Sequence, residues 1–337
     1  MAEERKRVLV VGGSGYLGQH LLAALAPATD RLDVAFTHHN QAPPQLLLDA
    51  LPSVRAFRAD LRSGDGLEAI SASFGQVRFC IPTAPSSSSS GLPASCLRLH
   101  VGLVHLQIAS ACACPLVVYY NAVQTILSAV HSILMKCVVK FCSPVLTVYE
   151  GVKSFYKEED ETLPVNMYGK SKVAAEKFIV EKCSNYAILR SSIIYGPQTV
   201  SPVAKSLPIQ WMDSVLSQGQ QVEFFNDEFR CPVYVKDMVN VILSLAKTWL
   251  SDGKKVQVLL NVGGPDRVSR LQMAESVATV HGYNHNTIKS VSASSVNRGV
   301  ASPSDISMDI TKLTQMLSIK PISFQDGVRA TFDAEAS

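Results

Sequence analysis

Two short stretches of this chain carry residue types at spacings that could act together in one reaction. The first is Gly12-Gly13-Ser14-Gly15-Tyr16-Leu17-Gly18, with glycines set three apart at 12, 15 and 18. Glycines let the backbone turn sharply and let a pyrophosphate come against the main chain. A helix starting there offers free N–H groups and a partial positive charge to phosphate oxygens. A plain strand-to-helix turn would need one glycine. Three in register point to a dinucleotide site formed by Gly12, Ser14, Gly15, Tyr16, Leu17 and Gly18. The second stretch is Tyr168-Gly169-Lys170-Ser171-Lys172. Tyrosine and lysine four apart share a helix face. An ammonium beside a phenol favours the phenolate, so Tyr168 could pass a proton to or from a carbonyl during hydride transfer. Lys172 could also hold the nicotinamide ribose. The spacing alone is common among surface residues; it gains weight downstream of a glycine turn in an α/β chain.

Three further positions bear on the cofactor. Asp60 lies just past a third predicted strand, where its carboxylate either accepts from an adenine amino group or caps a helix. The second predicted strand ends in Thr37-His38-His39-Asn40, with no acid to hold a ribose 2′-hydroxyl. A 2′-phosphate meets no repulsion there, which favours NADP(H) over NAD(H) and puts Thr37 and His38 in the cofactor site.

The elements that must position these residues are legible in the hydrophobic pattern. Residues 8–11 are a short β-branched run, as in a parallel strand buried on both faces. Residues 17–25 predict a helix, with Pro27 just past its end. Residues 33–37, 54–59, 186–190 and 256–262 predict strands, and 166–182 and 237–249 helices. A helix starting near Ser269 should end at Gly282, and Asp309 should cap a short helix over 310–317. Alternation of this kind predicts a doubly wound α/β fold, a parallel Rossmann sheet with a small C-terminal substrate-binding domain. Residues 1–190 would form the first unit and 191–330 the second, of which about 233–262 returns to the sheet. No internal repeat is visible, and Ser86 to Ser90 is the sole low-complexity run.

Composition narrows the classes. The chain has 337 residues, 47% hydrophobic and 18% charged, enough for one large or two modest domains. A net charge of +3 without any basic block gives no electrostatic footprint for nucleic acid. The charged residues 1–7 run straight into the first strand, so no leader is expected and the cytoplasm is the expected compartment. No spacing among the eight cysteines suits zinc, so reduced, mostly buried thiols and no metal are expected.

With these residues in hand, the chain resembles the extended short-chain dehydrogenase/reductases. The likeness rests on the glycine turn, Asp60, Val148-Tyr149-Glu150-Gly151, Tyr168-x-x-x-Lys172, Leu189-Arg190 and Tyr195-Gly196-Pro197. Within that group it is most similar to the dTDP-4-dehydrorhamnose reductases, a branch that includes the regulatory beta subunit of methionine adenosyltransferase. Arg230-Cys231-Pro232-Val233-Tyr234-Val235-Lys236-Asp237 matches the branch's R-x-P-x-x-V-x-D stretch. Arg298, followed by residues 302–309 and Lys312-Leu313, resembles its late segment against the sugar nucleotide. The likeness covers about residues 6–76 and 148–330. It implies NADP(H), a nucleotide-linked 4-keto sugar as substrate, and Arg230 and Arg298 near that substrate. The alternative it implies is a non-catalytic, NADP-binding subunit whose partner is the methionine adenosyltransferase catalytic subunit.

The middle departs from the pattern. Residues 77–147 contain no Asp or Glu, and six of the eight cysteines fall there. Where the family shows S-[ST]-D-x-V-[FY]-x-G, this chain has Pro144, Val145 and Leu146 at the Ser, Ser/Thr and Asp positions. The hydroxyl expected to polarise a substrate carbonyl beside Tyr168 is missing from that position, although Ser143 and Thr147 flank it. Residues 101–135 lack every charged type except histidine, a length fit for a membrane span. His105, Gln107, Asn121, Gln124 and His131 are scattered through it and Pro115 interrupts it, so no span is expected. The abrupt stop and resumption of the pattern fits a segment read from a shifted frame or a retained intron better than a diverged core.

Overall fold

Val8, Leu9, Val10 and Val11 are all buried, as a parallel strand covered on both faces requires, and they make up most of β1 (Lys6–Val11). The structure is a computed structural model describing residues 5–39, 42–60, 64–75, 79–82, 139–142, 147–204, 207–252 and 256–336. In it β1 is an interior strand of a seven-stranded sheet. With it are β2 (Leu32–His38), β3 (Arg55–Arg58), β4 (Phe79–Pro82), β5 (Val139–Cys142) and β6 (Tyr186–Ser191). Four short strands follow outside this sheet: β7 (Ile194–Tyr195), β8 (Val222–Phe225), β9 (Phe229–Arg230) and β10 (Val233–Tyr234). The seventh strand is then β11 (Gln257–Val262), which lies beside β6. The order is β11-β6-β5-β4-β1-β2-β3, with every pairing parallel. This is a doubly wound Rossmann sheet. Its strand order reverses between β1 and β4, the crevice where open α/β sheets bind ligands.

Alternate residues of β1 serve the two faces. Val8 and Val10 pack with Leu17, Leu21 and Leu22 of α1 (Tyr16–Leu25). Leu9 and Val11 pack on the opposite side with Leu67, Ile70 and Phe74, which belong to a helix two further on. That pair of helices is α2 (Gln45–Ala50) and α3 (Leu67–Phe74). Each such side chain contributes about 1.5–3 kcal/mol when fully buried. The site helix is α4 (Met167–Lys182), capped by Asn166, whose side chain accepts from the Gly169 N–H. After α5 (Pro208–Leu216), α6 (Val235–Asp252) returns to pack Met238, Val241, Ile242 and Leu245 into the α1 face of the sheet.

A smaller core lies beyond the sheet. Met273, Ala274 and Val277 of α7 (Arg270–His281) pack there with Ile209, Met212, Tyr195 and Phe324. Around it β12 (Val268–Ser269) pairs with β9, and β13 (Ile288–Val291) with β8. Two last helices, α8 (Thr311–Leu317) and α9 (Phe324–Ala336), close the chain. Ser269 and Gln272 form a capping box at the start of α7, and Gly282 ends it at φ 71°.

Two expectations need correction. Asp309 is one residue too early to cap α8: Ile310 holds the cap position, and the Asp309 carboxylate instead accepts from the Thr311 N–H at 2.7 Å. Asp60 caps no described helix, because α3 starts at Leu67 behind Gly66. The break in pattern at 77–147 does not break the sheet, since β4 and β5 are drawn from its two ends. Asn40, residues 83–138 and residues 143–146, with Ser143, Pro144, Val145 and Leu146, lie outside the described residues. Among the described residues no helix is long and apolar enough to cross a membrane.

Candidate functional site

The glycine turn joins β1 to α1, and each glycine in it answers a different steric demand. Gly12 has φ 77°, a left-handed conformation that side chains resist. A Cβ on Gly13 would stand 2.4 Å from the Cβ of Phe36, and one on Gly18 would stand 2.6 Å from the Gly12 carbonyl. Gly15 occupies the N-cap of α1 in extended conformation and offers no side-chain cap. The first-turn N–H groups of Tyr16, Leu17 and Gly18 therefore face outward without a side-chain acceptor from the cap. That cradle fits a pyrophosphate in both shape and charge.

Thr37 holds the turn from below. Its hydroxyl accepts from the Gly12 N–H at 2.9 Å, and its carbonyl accepts from the Gly13 N–H at 3.0 Å. Leu17 is buried beneath the turn, leaving only its backbone for a ligand. The Tyr16 hydroxyl donates to the Pro197 carbonyl at 3.1 Å, and His20 meets the same oxygen. Burial, with Tyr234 and Glu335 nearby, pushes the Tyr16 phenol well above its ordinary range, and burial lowers the His20 imidazole. Tyr16 is thus a brace between the turn and Tyr195-Gly196-Pro197. Beside the turn, His38 ends β2 opposite Arg58 of β3, and His39 lies 3.5 Å from the Asp60 carboxylate.

Tyr168 and Lys172 are brought together on the first turns of α4, with the ammonium 5.1 Å from the centre of the Tyr168 ring. Between them Gly169 lets the helix rest on the backbone leaving β5: a Cβ there would stand 2.0 Å from the Thr147 carbonyl. The Thr147 hydroxyl is buried and has no hydrogen-bond partner. Farther along α4, Glu176 makes a two-point pair with Arg190 of β6, at 3.0 and 2.8 Å. The same guanidinium donates to the Tyr149 hydroxyl at 2.6 Å and to the Glu158 carbonyl at 3.2 Å. Burial against this group pushes the Tyr149 phenol up to about 12, with Arg190 pulling the other way.

Arg230 and Arg298 both lie near the buried Glu228. Arg230 is buried and donates to the carbonyls of Phe229, Pro303 and Ser304 and to the Ser302 hydroxyl. It clamps the 302–304 loop. Arg298 pairs with the buried Glu228 and lies 4.8 Å over the Phe225 ring. Burial works to raise the Glu228 carboxyl, but the bonds from Arg298 and Ser302 outweigh it and hold it below the usual range.

A third arginine was missed by the sequence reading. Arg270, the first residue of α7, is half-buried and donates to the Met273 sulfur at 3.9 Å. Burial, with Arg298 nearby, presses its guanidinium below the ordinary value. One signal was available: a cation in the first turn of a helix opposes the macrodipole.

The model of a family described as RmlD substrate binding domain matches residues 145–337. Methionine adenosyltransferase 2 subunit beta of Pongo abelii is 26% identical over 182 residues, 54% of this chain and 53% of that protein. A probable low-salt glycan biosynthesis reductase of Haloferax volcanii is 25% identical over 184 residues, 54% of this chain and 59% of that protein. The chain thus spans about half the length of the curated relatives it matches. Among solved structures, the dTDP-4-dehydrorhamnose reductase of Bacillus anthracis, in complex with NADP, superposes with a TM-score of 0.70 at 17% identity. That match covers 98% of this chain and 100% of the other, and at such identity it speaks for the fold.

Proposed function

Because this chain belongs to the RmlD substrate binding domain family, a branch of the extended short-chain dehydrogenase/reductases, we propose that it is an NADP(H)-dependent reductase of a nucleotide-linked 4-keto sugar, working in the cytoplasm. The observation that carries this reading is the Lys172 ammonium over the Tyr168 ring, on a helix facing the carboxyl end of a Rossmann sheet. Bound at the glycine cradle, the cofactor would supply a hydride to the carbonyl carbon. Tyr168 would then donate its phenolic proton to the carbonyl oxygen, and Lys172 would stabilise the phenolate left behind. Gly12, Ser14, Gly15 and the backbone N–H groups of Tyr16, Leu17 and Gly18 would hold the pyrophosphate. Thr37 would support the turn from beneath, and His38 would stand near the ribose 2′ position, where the absence of an acid favours NADP(H) over NAD(H). Asp60 would take the adenine amino group in competition with His39. Arg298, with Arg230 anchoring the neighbouring loop, would face the sugar nucleotide.

The test is NADPH oxidation with a dTDP-4-keto-6-deoxy sugar, on the full chain and on Tyr168→Phe. The variant deletes the proton donor but keeps the ring, so its rate should fall roughly 10²–10⁴-fold with NADPH binding retained. Near-normal turnover in Tyr168→Phe would refute the assignment. The hydroxyl missing at Val145 should itself hold the parent rate down by roughly 10²–10³-fold, the typical loss for one oxyanion donor.

The similarity to methionine adenosyltransferase beta subunits favours a second reading, a non-catalytic NADP-binding subunit. Co-elution with a methionine adenosyltransferase catalytic subunit, in a chain that binds NADPH but never oxidises it, would support that reading over the first.

A further inference from the structure

Tyr168, Lys172 and Glu176 stand four apart on α4, so one helix face carries a phenol, an ammonium and a carboxylate in a row. Side chains on a helix lean toward its N-terminus. The ammonium of Lys172 leans toward Tyr168, and a Glu176 carboxylate released on that face would lean toward Lys172. With no other partner, Glu176 would compete with Tyr168 for that single ammonium. The structure gives Glu176 another partner. Arg190, from the adjacent strand β6, takes both carboxylate oxygens at 3.0 and 2.8 Å, in a pair that is at most 8% exposed. Its remaining donors reach the Tyr149 hydroxyl and the Glu158 carbonyl, which fix the guanidinium in place. Lys172 meanwhile stays on the Tyr168 ring.

We propose that Arg190 is a positioning residue for the Tyr168–Lys172 pair: by holding Glu176 it leaves the Lys172 ammonium to Tyr168. The inference rests on the reading of Tyr168 and Lys172 as a working pair. An arginine fits the task because its planar fork meets both carboxylate oxygens at once and stays charged. Lys172 is then the cation one turn from Tyr168, and Glu176, one turn further along the same face, is already satisfied.

The experiment follows the ionisation of Tyr168 on the full chain. It is read as the pH-dependent phenolate absorbance of each protein minus that of the same protein carrying Tyr168→Phe. Lys172→Met sets the scale and should lower the acid constant of Tyr168 about tenfold or more, since an opposite charge at this range moves a pKa by roughly 1–3 units. Arg190→Met frees Glu176 and should shift Tyr168 in the same direction. Arg190→Met combined with Glu176→Gln removes the competitor with its clamp and should bring Tyr168 back to within about threefold of the parent. A purely structural Arg190 would make the single and double variants behave alike. The proposal falls if Lys172→Met moves the phenol and Arg190→Met does not, or if the double variant stays as far shifted as the single. An unmoved phenol in Lys172→Met takes down the pair itself, and this inference with it. Should Arg190→Met not fold, Arg190→Gln can still donate to Glu176 and Tyr149 without neutralising the carboxylate. It should shift Tyr168 in the same direction, and no shift there also overturns the proposal.

Discussion

The molecule contains two arginine clusters, one buried and one that reaches the surface, and they differ in charge balance. In the first, Arg190 meets Glu176 one for one, and its guanidinium stands above the ordinary value. Burial there works against the charge, but the bonds and charge of Glu176 outweigh it. In the second, Arg230, Arg270 and Arg298 lie near Glu228, with Asp227 also near Arg298, while the nearby Asp305 is taken by Arg267 at 2.7 Å. Burial and the neighbouring Arg270 push Arg230 down to about 10. A balanced buried charge acts as a part of the fold. An unbalanced one stores a cost that an arriving anion would relieve.

The largest expected effect breaks the balanced cluster. Arg190→Met leaves the buried Glu176 carboxylate with only the Lys172 ammonium to turn to and should cost about 3–5 kcal/mol, seen as a lowered midpoint in urea at unchanged slope. A loss below about 1 kcal/mol would put the two clusters in one class. Next comes Arg270→Met in the unbalanced cluster. With a like charge removed, the free chain should be as stable as the parent or more so. Affinity for a nucleoside diphosphate sugar should drop roughly 10–100-fold, the worth of one hydrogen bond to a charged group. Calorimetry that finds lower stability and unchanged affinity would count against an anion-binding role for Arg270.

The smallest effect is in pH. The carboxyls of Glu228 and Asp305 both lie below their ordinary values when folded: burial raises each, but hydrogen bonds from Arg298 and Ser302, and from Ser154, Ser307 and Arg267, outweigh it. Each group therefore adds stability that is fully present above its unfolded pKa, near 4, and is lost as pH falls through its folded value. Glu228→Gln should flatten the acid limb of stability against pH, and an unaltered limb would show that Glu228 carries none of it.

What was legible in the sequence was local. Periodicity and caps are set by residues a few positions apart, so the helix start near Ser269, its C-cap at Gly282 and the strand at β1 could be read directly. Tyr168 and Lys172 share the same advantage. The rest depends on distances between elements. Nothing near Gly13 in the chain announces Phe36, twenty-three positions away on β2, as the reason a side chain is forbidden there. Arg230 reads as a ligand contact until the carbonyls of Phe229, Pro303 and Ser304 are seen to take its donors. Asp60 was ambiguous for the same reason, since a cap depends on where the next helix starts.

The two strands drawn from the ends of the divergent segment explain how such a segment can be carried at all. Pro82 ends β4 and Val139 opens β5, and the two strands are parallel neighbours. Parallel neighbours need a crossover of only about a dozen residues. Residues 83–138 are several times that length, yet closure entropy grows as the logarithm of length, about 0.6 kcal/mol for each doubling. Chain length by itself thus adds little to the cost of such a junction, and a chain trimmed there to a short crossover should keep the same strand order. Sequence can drift, lengthen or be replaced at that one junction while every strand on either side keeps its neighbours.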